Sequence, residues 1–292
     1  MAGQYKKPTK AIITDAGYAS RFLPITKTIP KAMLPLGAKP IIQLAVEECI
    51  EAGIQEIIIV ATQEGKPIYE DYFTNTVSHI HKQLEAQNKE DRYSSVRQVL
   101  DFPKIHIIVQ DPHLPYGNGS PIVSARDYIA NDEMFIAIYS DDVVFGSSDV
   151  KTLIETYEVY PDADGVIIGQ ETPREELHKY GVISLKDGNK LDHIVEKPAG
   201  DQAPSTLASY GRYLLSPRVF DYLKPSYTGL DDELWTVDAI TKIAETGNVY
   251  VEKTRGHWVT TGDPKNYFFA HAEYVLGYEK YADDFRAFMN NR

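Results

Sequence analysis

A mixed, mainly parallel α/β fold is predicted by two features of the sequence. Short β-branched apolar runs recur with amphipathic helical stretches between them, and that alternation builds βαβ units with helices on both faces of a sheet. The loop after the first run is rich in small and basic residues. Such a loop suits the carboxyl edge of a parallel sheet, where these folds take their ligands.

The first strand is expected over Ala11–Thr14. The segment Ile41–Ala52 spaces its apolar residues as a helix does, and Glu56–Ala61 reads as the next strand. Ile68–Leu100, long, polar and aromatic, reads as a helical excursion rather than a second domain. Strands follow at Ile105–Val109, Phe135–Tyr139 and Gly165–Gly169, with helices over Pro121–Ala130 and Val150–Tyr160. The runs then shorten to Gly181–Leu185, His193–Glu196 and Ala208–Leu215, which predicts a smaller β-rich region packed beside the first sheet. Val251 and Trp258–Thr261 are expected to rejoin the sheet, and Pro264–Tyr281 to close the chain as a helix. No internal repeat is evident, and residues 1–292 are expected to form a single domain.

Composition bounds the function. The 292 residues carry a net charge of −12, with 43% hydrophobic and 25% charged residues, as in a soluble globular protein. An acidic chain lacks the basic surface on which general nucleic-acid binding relies. No apolar run approaches the roughly 20 residues of a membrane span. The opening MAGQYKKPTK has lysines and no apolar stretch, so no secretory signal is expected. Cys49 is the single cysteine, which fits a reducing compartment. A cytoplasmic protein is expected.

Against this acidic background, Ala16 to Val46 contains no Asp or Glu, where uniform composition would place about four. The turn Ala16-Gly17-Tyr18-Ala19-Ser20 lets backbone N–H groups approach an anion closely, and Arg21, Lys27 and Lys31 add positive charge. Its spacing matches neither the dinucleotide fingerprint nor the P-loop. It reads as a triphosphate cradle. Ser140-Asp141-Asp142 follows a predicted strand; adjacent carboxylates there suit a divalent cation, although an Asp pair in a loop often serves as a helix cap. Val195-Glu196-Lys197-Pro198 sets an acid beside a base at a strand end. Strand alternation would point the two to opposite faces, so surface ion pairing and ligand binding are both open.

Together these blocks resemble the bacterial UTP–glucose-1-phosphate uridylyltransferases, within the sugar-nucleotide pyrophosphorylases. The resemblance runs over nearly the whole chain. It rests on AGYASRFLPITKTIPKAMLP, Gln110 with Gly117-Asn118-Gly119, Ser140-Asp141-Asp142, Tyr180-Gly181-Val182-Ile183, Val195-Glu196-Lys197-Pro198, Gly211-Arg212-Tyr213 and Thr261-Gly262-Asp263. It implies a nucleotidyltransferase fold in which residues 1–160 mainly bind nucleotide, 161–262 mainly bind sugar and 263–292 form a C-terminal helix. It implies that Ala16, Gly17, Gln110 and Gly117 hold the nucleotide, with Gln110 reading uracil, and that Arg21 and Lys31 grip the triphosphate and act in catalysis. Asp141 would bind Mg²⁺, while Asp142, Gly181, Glu196 and Lys197 would hold the sugar phosphate. The implied reaction is in-line attack of glucose 1-phosphate on the α-phosphorus of UTP, giving UDP-glucose and pyrophosphate. A homodimer or homotetramer is the implied assembly.

The chain departs from the family pattern at several points. Gly-Leu-Gly-Thr-Arg reads Gly17-Tyr18-Ala19-Ser20-Arg21, so a Cβ stands where glycine is usual, and a positive φ at Ala19 would strain the turn. Lys-Glu-Met-Leu-Pro reads Lys31-Ala32-Met33-Leu34-Pro35. Gly-Leu-Gly-His-Ala becomes Gly117–Pro121, and Gly-Gly-Glu-Ile-Gln becomes Asp231-Asp232-Glu233-Leu234-Trp235. The late metal-binding Asp falls, by register, on Thr260. Two alternatives therefore stand beside UDP-glucose synthesis: a catalytically impaired relative that binds nucleotide or sugar phosphate as a regulator, and an active enzyme with another nucleotide or sugar.

Overall fold

The computed structural model describes residues 5–278 and 280–291. Strand β1 (Lys10–Asp15) enters a loop built of three single 3₁₀ turns, Ser20–Phe22, Ile25–Lys27 and Lys31–Met33. The two-residue strands β2 (Pro35–Leu36) and β3 (Lys39–Pro40) pair before helix α1 (Ile41–Glu51). Next come β4 (Glu56–Ala61), α2 (Lys66–Thr74), α3 (Ser78–Ala86), α4 (Ser94–Leu100) and β5 (Lys104–Val109). Then follow α5 (Gly119–Ser124), β6 (Phe135–Tyr139), β7 (Asp142–Phe145), α6 (Asp149–Val159) and β8 (Gly165–Glu171). The next elements are β9 (Gly181–Leu185), β10 (Leu191–Glu196), β11 (Leu207–Leu215) and α7 (Val219–Tyr222). The described chain closes with α8 (Thr236–Thr246), β12 (Val249–Lys253), β13 (His257–Thr260), α9 (Pro264–Tyr278) and α10 (Ala282–Asn290).

Nine strands form one sheet in the order β10-β9-β11-β6-β1-β4-β5, with β8 also on β11 and β12 on β8. Strands β6, β1, β4 and β5 are parallel, and β11 runs against β6 and β8. Central parallel strands are buried on both faces. Thus Ile13, Ile57, Ile59 and Ile136 enter the core under α1 and α6, while Ile12, Ile58, Val60 and Ala137 enter the core under α5 and α8. A third apolar cluster joins Phe22, Leu34, Leu36 and Ile41 to Val143, Phe145, Ala270 and Tyr274. It anchors the basic loop to β7 and α9, so that a loop with little regular structure still has a packed underside.

Three expectations need correction. The later strands do not form a separate region beside the sheet: β8–β12 continue it, because β11 pairs with β6 along one edge. The 258–261 segment does not rejoin that sheet; β13 pairs with β7 in a two-stranded ribbon, setting Thr260 opposite Asp142. The closing helix also ends at Tyr278, and a second helix follows it.

Candidate active site

The cleft lies at the carboxyl ends of the parallel strands. Its first part, about 370 Å³, is lined by Ala16, Gly17, Ala19, Arg21, Lys31, Gln110 and Gly117 among others. The second, about 470 Å³, is lined by Asp142, Gly181, Glu196, Lys197 and Thr260 among others. Arg21, Asn118, Tyr139 and Asp141 belong to both. Apart from Lys27, the residues singled out in the sequence for nucleotide and sugar phosphate line these two adjoining parts. Lys27 lines a smaller adjoining cavity, which shares Asp15, Gly17, Ala19 and Lys31 with the first part.

Sequence reasoning passed over the residue that fastens the nucleotide end. Asp15 ends β1 with one oxygen accepting from Ser140 Oγ at 2.9 Å and the other from the Tyr69 hydroxyl. Burial pushes its carboxyl up, while Lys31 opposes that shift. An Asp closing a buried apolar strand was the available signal. Just beyond it, Ala19 adopts φ 48°, ψ 34°, the left-handed region that costs a residue with a Cβ about 1–2 kcal/mol. The Tyr18 ring stacks on Tyr116 across the loops, with centroids 5.7 Å apart and planes within 6°.

Close backbone packing sets the opposite wall. Gly117 has φ 134°, and a Cβ there would lie 2.4 Å from the Leu234 carbonyl oxygen; only glycine fits. Leu234 N donates to the Tyr116 carbonyl at 2.7 Å, Gly119 N to the Leu234 carbonyl at 2.8 Å, and Thr236 N to Asn118 Oδ1 at 2.8 Å. The segment before α8 is thereby strapped to the loop at residues 116–119. Asp231 and Asp232 have φ 60° and 57°. Where the resembling family carries a glycine pair, aspartates hold the left-handed backbone here, a conformation Asp tolerates better than most residues.

The acid pair divides into two roles. Lys31 Nζ donates to Asp141 Oδ2 at 2.6 Å. Burial opposes ionisation of Asp141, but Lys31 pulls its carboxyl below the usual carboxylate range. In turn, Asp141 and Asp15 raise the Lys31 pKa despite the opposing effect of burial. Asp142 is occupied by the protein: Oδ1 accepts from Trp258 Nε1 at 2.7 Å and Oδ2 from Gly211 N at 2.9 Å. Burial, with Asp141 next to it, pushes the Asp142 carboxyl up to about 6. Beneath it lies Arg212, 1% exposed, whose Nη2 donates to the Asp142 carbonyl at 2.8 Å and whose Nε donates to Glu48 at 3.0 Å.

Thr260 ends β13 and lines the second part of the cleft with Asp141. A Cβ on Gly262 would lie 3.1 Å from Asp141 Oδ2 and 3.2 Å from Thr260 Oγ1, so both side chains lean on that glycine. Among the described residues, no group of three or more His, Cys, Asp or Glu side chains is arranged to hold a metal ion. The donor set therefore fits a divalent cation in one way: Asp141 as a single carboxylate, with ligand phosphate oxygens completing the shell, as Mg²⁺ commonly accepts. On the sugar side, burial raises the Glu196 carboxyl to about 7, and Lys197 partly offsets that.

A model of the nucleotidyl transferase family matches residues 10–276. The chain is 37% identical over 289 residues to the UTP–glucose-1-phosphate uridylyltransferase of Staphylococcus epidermidis, covering 97% of this chain and 98% of that one. It superposes on a UTP-bound UDP-glucose pyrophosphorylase from Acinetobacter baumannii with a TM-score of 0.85 at 27% identity, covering 97% and 98% of the two chains. On a UDP-glucose pyrophosphorylase complexed with UDP-glucose the TM-score is 0.78 at 33% identity, with 91% and 98% covered.

Proposed function

The chain belongs to the nucleotidyl transferase family, and on that basis we propose that it forms UDP-glucose and pyrophosphate from UTP and glucose 1-phosphate. One observation carries this reading: Arg21 and Asp141 lie on the wall shared by two adjoining cavities. The α-phosphorus would have to sit there for a sugar phosphate in one cavity to attack a triphosphate in the other.

In the proposed arrangement Gln110 meets the uracil edge, its amide offering both a donor and an acceptor. The bare backbone at Gly17 and Gly117, with the small Ala16 beside it, allows close approach of base and ribose. Arg21 is exposed and has Nη1 3.5 Å from the Gly262 carbonyl, at the limit of hydrogen bonding, so its guanidinium is available to phosphate. Lys31 leaves Asp141 for the triphosphate as the nucleotide enters. Glu196 accepts sugar hydroxyls, Lys197 faces the sugar phosphate, and Gly181 gives the sugar room beside Glu196. Asp142 braces the floor through Gly211 and Trp258.

A phosphate oxygen of glucose 1-phosphate bonds to the α-phosphorus as the bond to the β-phosphate oxygen breaks, and pyrophosphate carries away that electron pair. Alignment and charge neutralisation supply the catalysis, with no covalent intermediate on the protein. Asp141 would hold Mg²⁺, which supplies Lewis-acid stabilisation of phosphate charge. Arg21 and Lys31 supply the remaining positive charge.

Pyrophosphate release from UTP, glucose 1-phosphate and Mg²⁺ tests the reading. Turnover that falls away with other nucleotides supports it; UTP binding without turnover under any divalent metal supports the regulatory alternative, which the neutral Thr260 side chain in the Asp141 cavity favours. We also propose a cytoplasmic protein that self-associates as a dimer or tetramer. Among the described residues no helix is long and apolar enough to cross a membrane, and the exposed Phe268 and Phe269 on α9 and Phe288 and Met289 on α10 offer apolar surface for a second copy.

A further inference from the structure

Strand alternation would send Glu196 and Lys197 to opposite faces of β10, yet both line the sugar cavity. The backbone of Lys197 accounts for this. Its φ is 46°, a left-handed value that residues with a Cβ avoid unless their surroundings impose it. The Lys197 N–H donates to the Tyr180 carbonyl at 3.0 Å, which fixes the turn.

The redirected side chain ends over an aromatic ring: Lys197 Nζ lies 4.3 Å from the Trp235 ring centroid. Glu196 Oε1 is 4.0 Å away, beyond hydrogen-bonding distance. Trp235 is itself fixed, being 8% exposed with Nε1 donating to the Leu230 carbonyl at 3.0 Å. It lines the nucleotide cavity while the lysine it carries lines the sugar cavity. An indole face attracts an ammonium through its quadrupole, yet brings no counter-charge. A carboxylate in its place would neutralise the lysine and take up its donors.

We propose that Trp235 is a positioning residue for the sugar 1-phosphate: its indole face holds the Lys197 ammonium undischarged at the wall of the sugar cavity, where the incoming phosphate takes it over. This inference rests on reading that cavity as the sugar-phosphate subsite. It concerns a residue that replaces the glutamine of the resembling family's pattern.

Steady-state kinetics and intrinsic fluorescence on the full chain test it. Trp235→Leu should raise the KM for glucose 1-phosphate about tenfold while kcat and the KM for UTP change by less than about threefold. Trp235→Phe, which keeps an aromatic face, should recover a large part of the loss and keeps the test readable if the leucine variant does not fold. In a Lys197→Met background, Trp235→Leu should add less than about twofold. The proposal is overturned if the two substitutions act independently, if Trp235→Leu moves both KM values and kcat together, or if it moves none.

A separate arm distinguishes failure of the functional reading. If the wild type turns over no glucose 1-phosphate, titration with inorganic phosphate is followed by tryptophan emission. A change that Lys197→Met abolishes supports the Trp235 proposal in the absence of catalysis. No change, or one that persists in the variant, overturns it.

Discussion

Lys31 and Lys197 occupy opposite halves of the cleft and are held in opposite ways. Lys31 is locked to a carboxylate, 2.6 Å from Asp141, with Asp15 also raising its pKa. Lys197 rests on an indole face, 4.3 Å from the ring centroid, with its nearest carboxylate oxygen at 4.0 Å. The first cation is held by a hydrogen-bonded carboxylate; the second has only a looser ion pair with Glu196. In the proposed roles, the nucleotide half would admit its ligand by exchanging partners, and the sugar half by presenting a loosely paired cation.

Four measurements probe that contrast. The largest effect is expected from Lys31→Met, which removes the exchanging cation and leaves Asp141 uncompensated: kcat/KM for UTP should fall about 10²–10³-fold in steady-state assays. A loss below tenfold would make Lys31 a partner of Asp141 and nothing more. Thr260→Asp comes next, since a second carboxylate beside Gly262 should compete for the cation; the Mg²⁺ concentration giving half-maximal rate should fall about tenfold. An unchanged metal dependence would mean that Asp141 and the phosphates suffice.

On the sugar side, burial holds the Glu196 carboxyl near 7 against an ordinary 4.5, with Asp238 and Glu233 raising it further and Lys197 lowering it. The carboxylate form accepts sugar hydroxyls, so kcat/KM for glucose 1-phosphate should rise several-fold as pH increases through about 7. Glu196→Gln should remove that inflection, leaving the titration of the phosphate itself. The linked stability effect has the opposite sense. The folded chain binds this proton more tightly than the unfolded chain, so stability falls as pH rises between about 4.5 and 7. Glu196→Gln should then be about 1–3 kcal/mol more stable than the wild type in urea at pH 8, and no more stable at pH 4. The smallest effect is expected at Ala19, where Ala19→Gly relieves the left-handed strain and should add up to about 1 kcal/mol in the same experiment.

The two halves were also unequally legible. The parallel strands were readable because burial on both faces forces continuous β-branched runs: Glu56–Ala61 and Phe135–Tyr139 have the predicted bounds. The basic loop could be found because missing acids are visible without any structure. The edge strands misled, since pairing partners are not written in a run of five residues; β13 therefore looked like a return to the main sheet. Within the site, the bonds of Asp15, the role of Trp235 and the αL turn at Lys197 share one reason for escaping a local reading. Each depends on a contact with a residue distant in the chain: Ser140 and Tyr69 for Asp15, Lys197 for Trp235, Tyr180 for Lys197. Alternation, a local rule, gave the wrong face for Lys197 because that tertiary contact overrides it.

Arg212 has a consequence for how this protein can change over generations. Its guanidinium ties Glu48 to the backbone beneath Asp142 in a site it leaves almost no access to water. Removing one member of such a buried charged group strands the others, at a cost of about 3–5 kcal/mol, so the floor resists stepwise substitution. The rims at residues 18–20 and 231–235 are held by backbone hydrogen bonds and ring contacts rather than by a buried charged group, and they differ from the resembling family's pattern. Inheritance can therefore retune the rims of the cleft while the floor beneath Asp142 stays fixed.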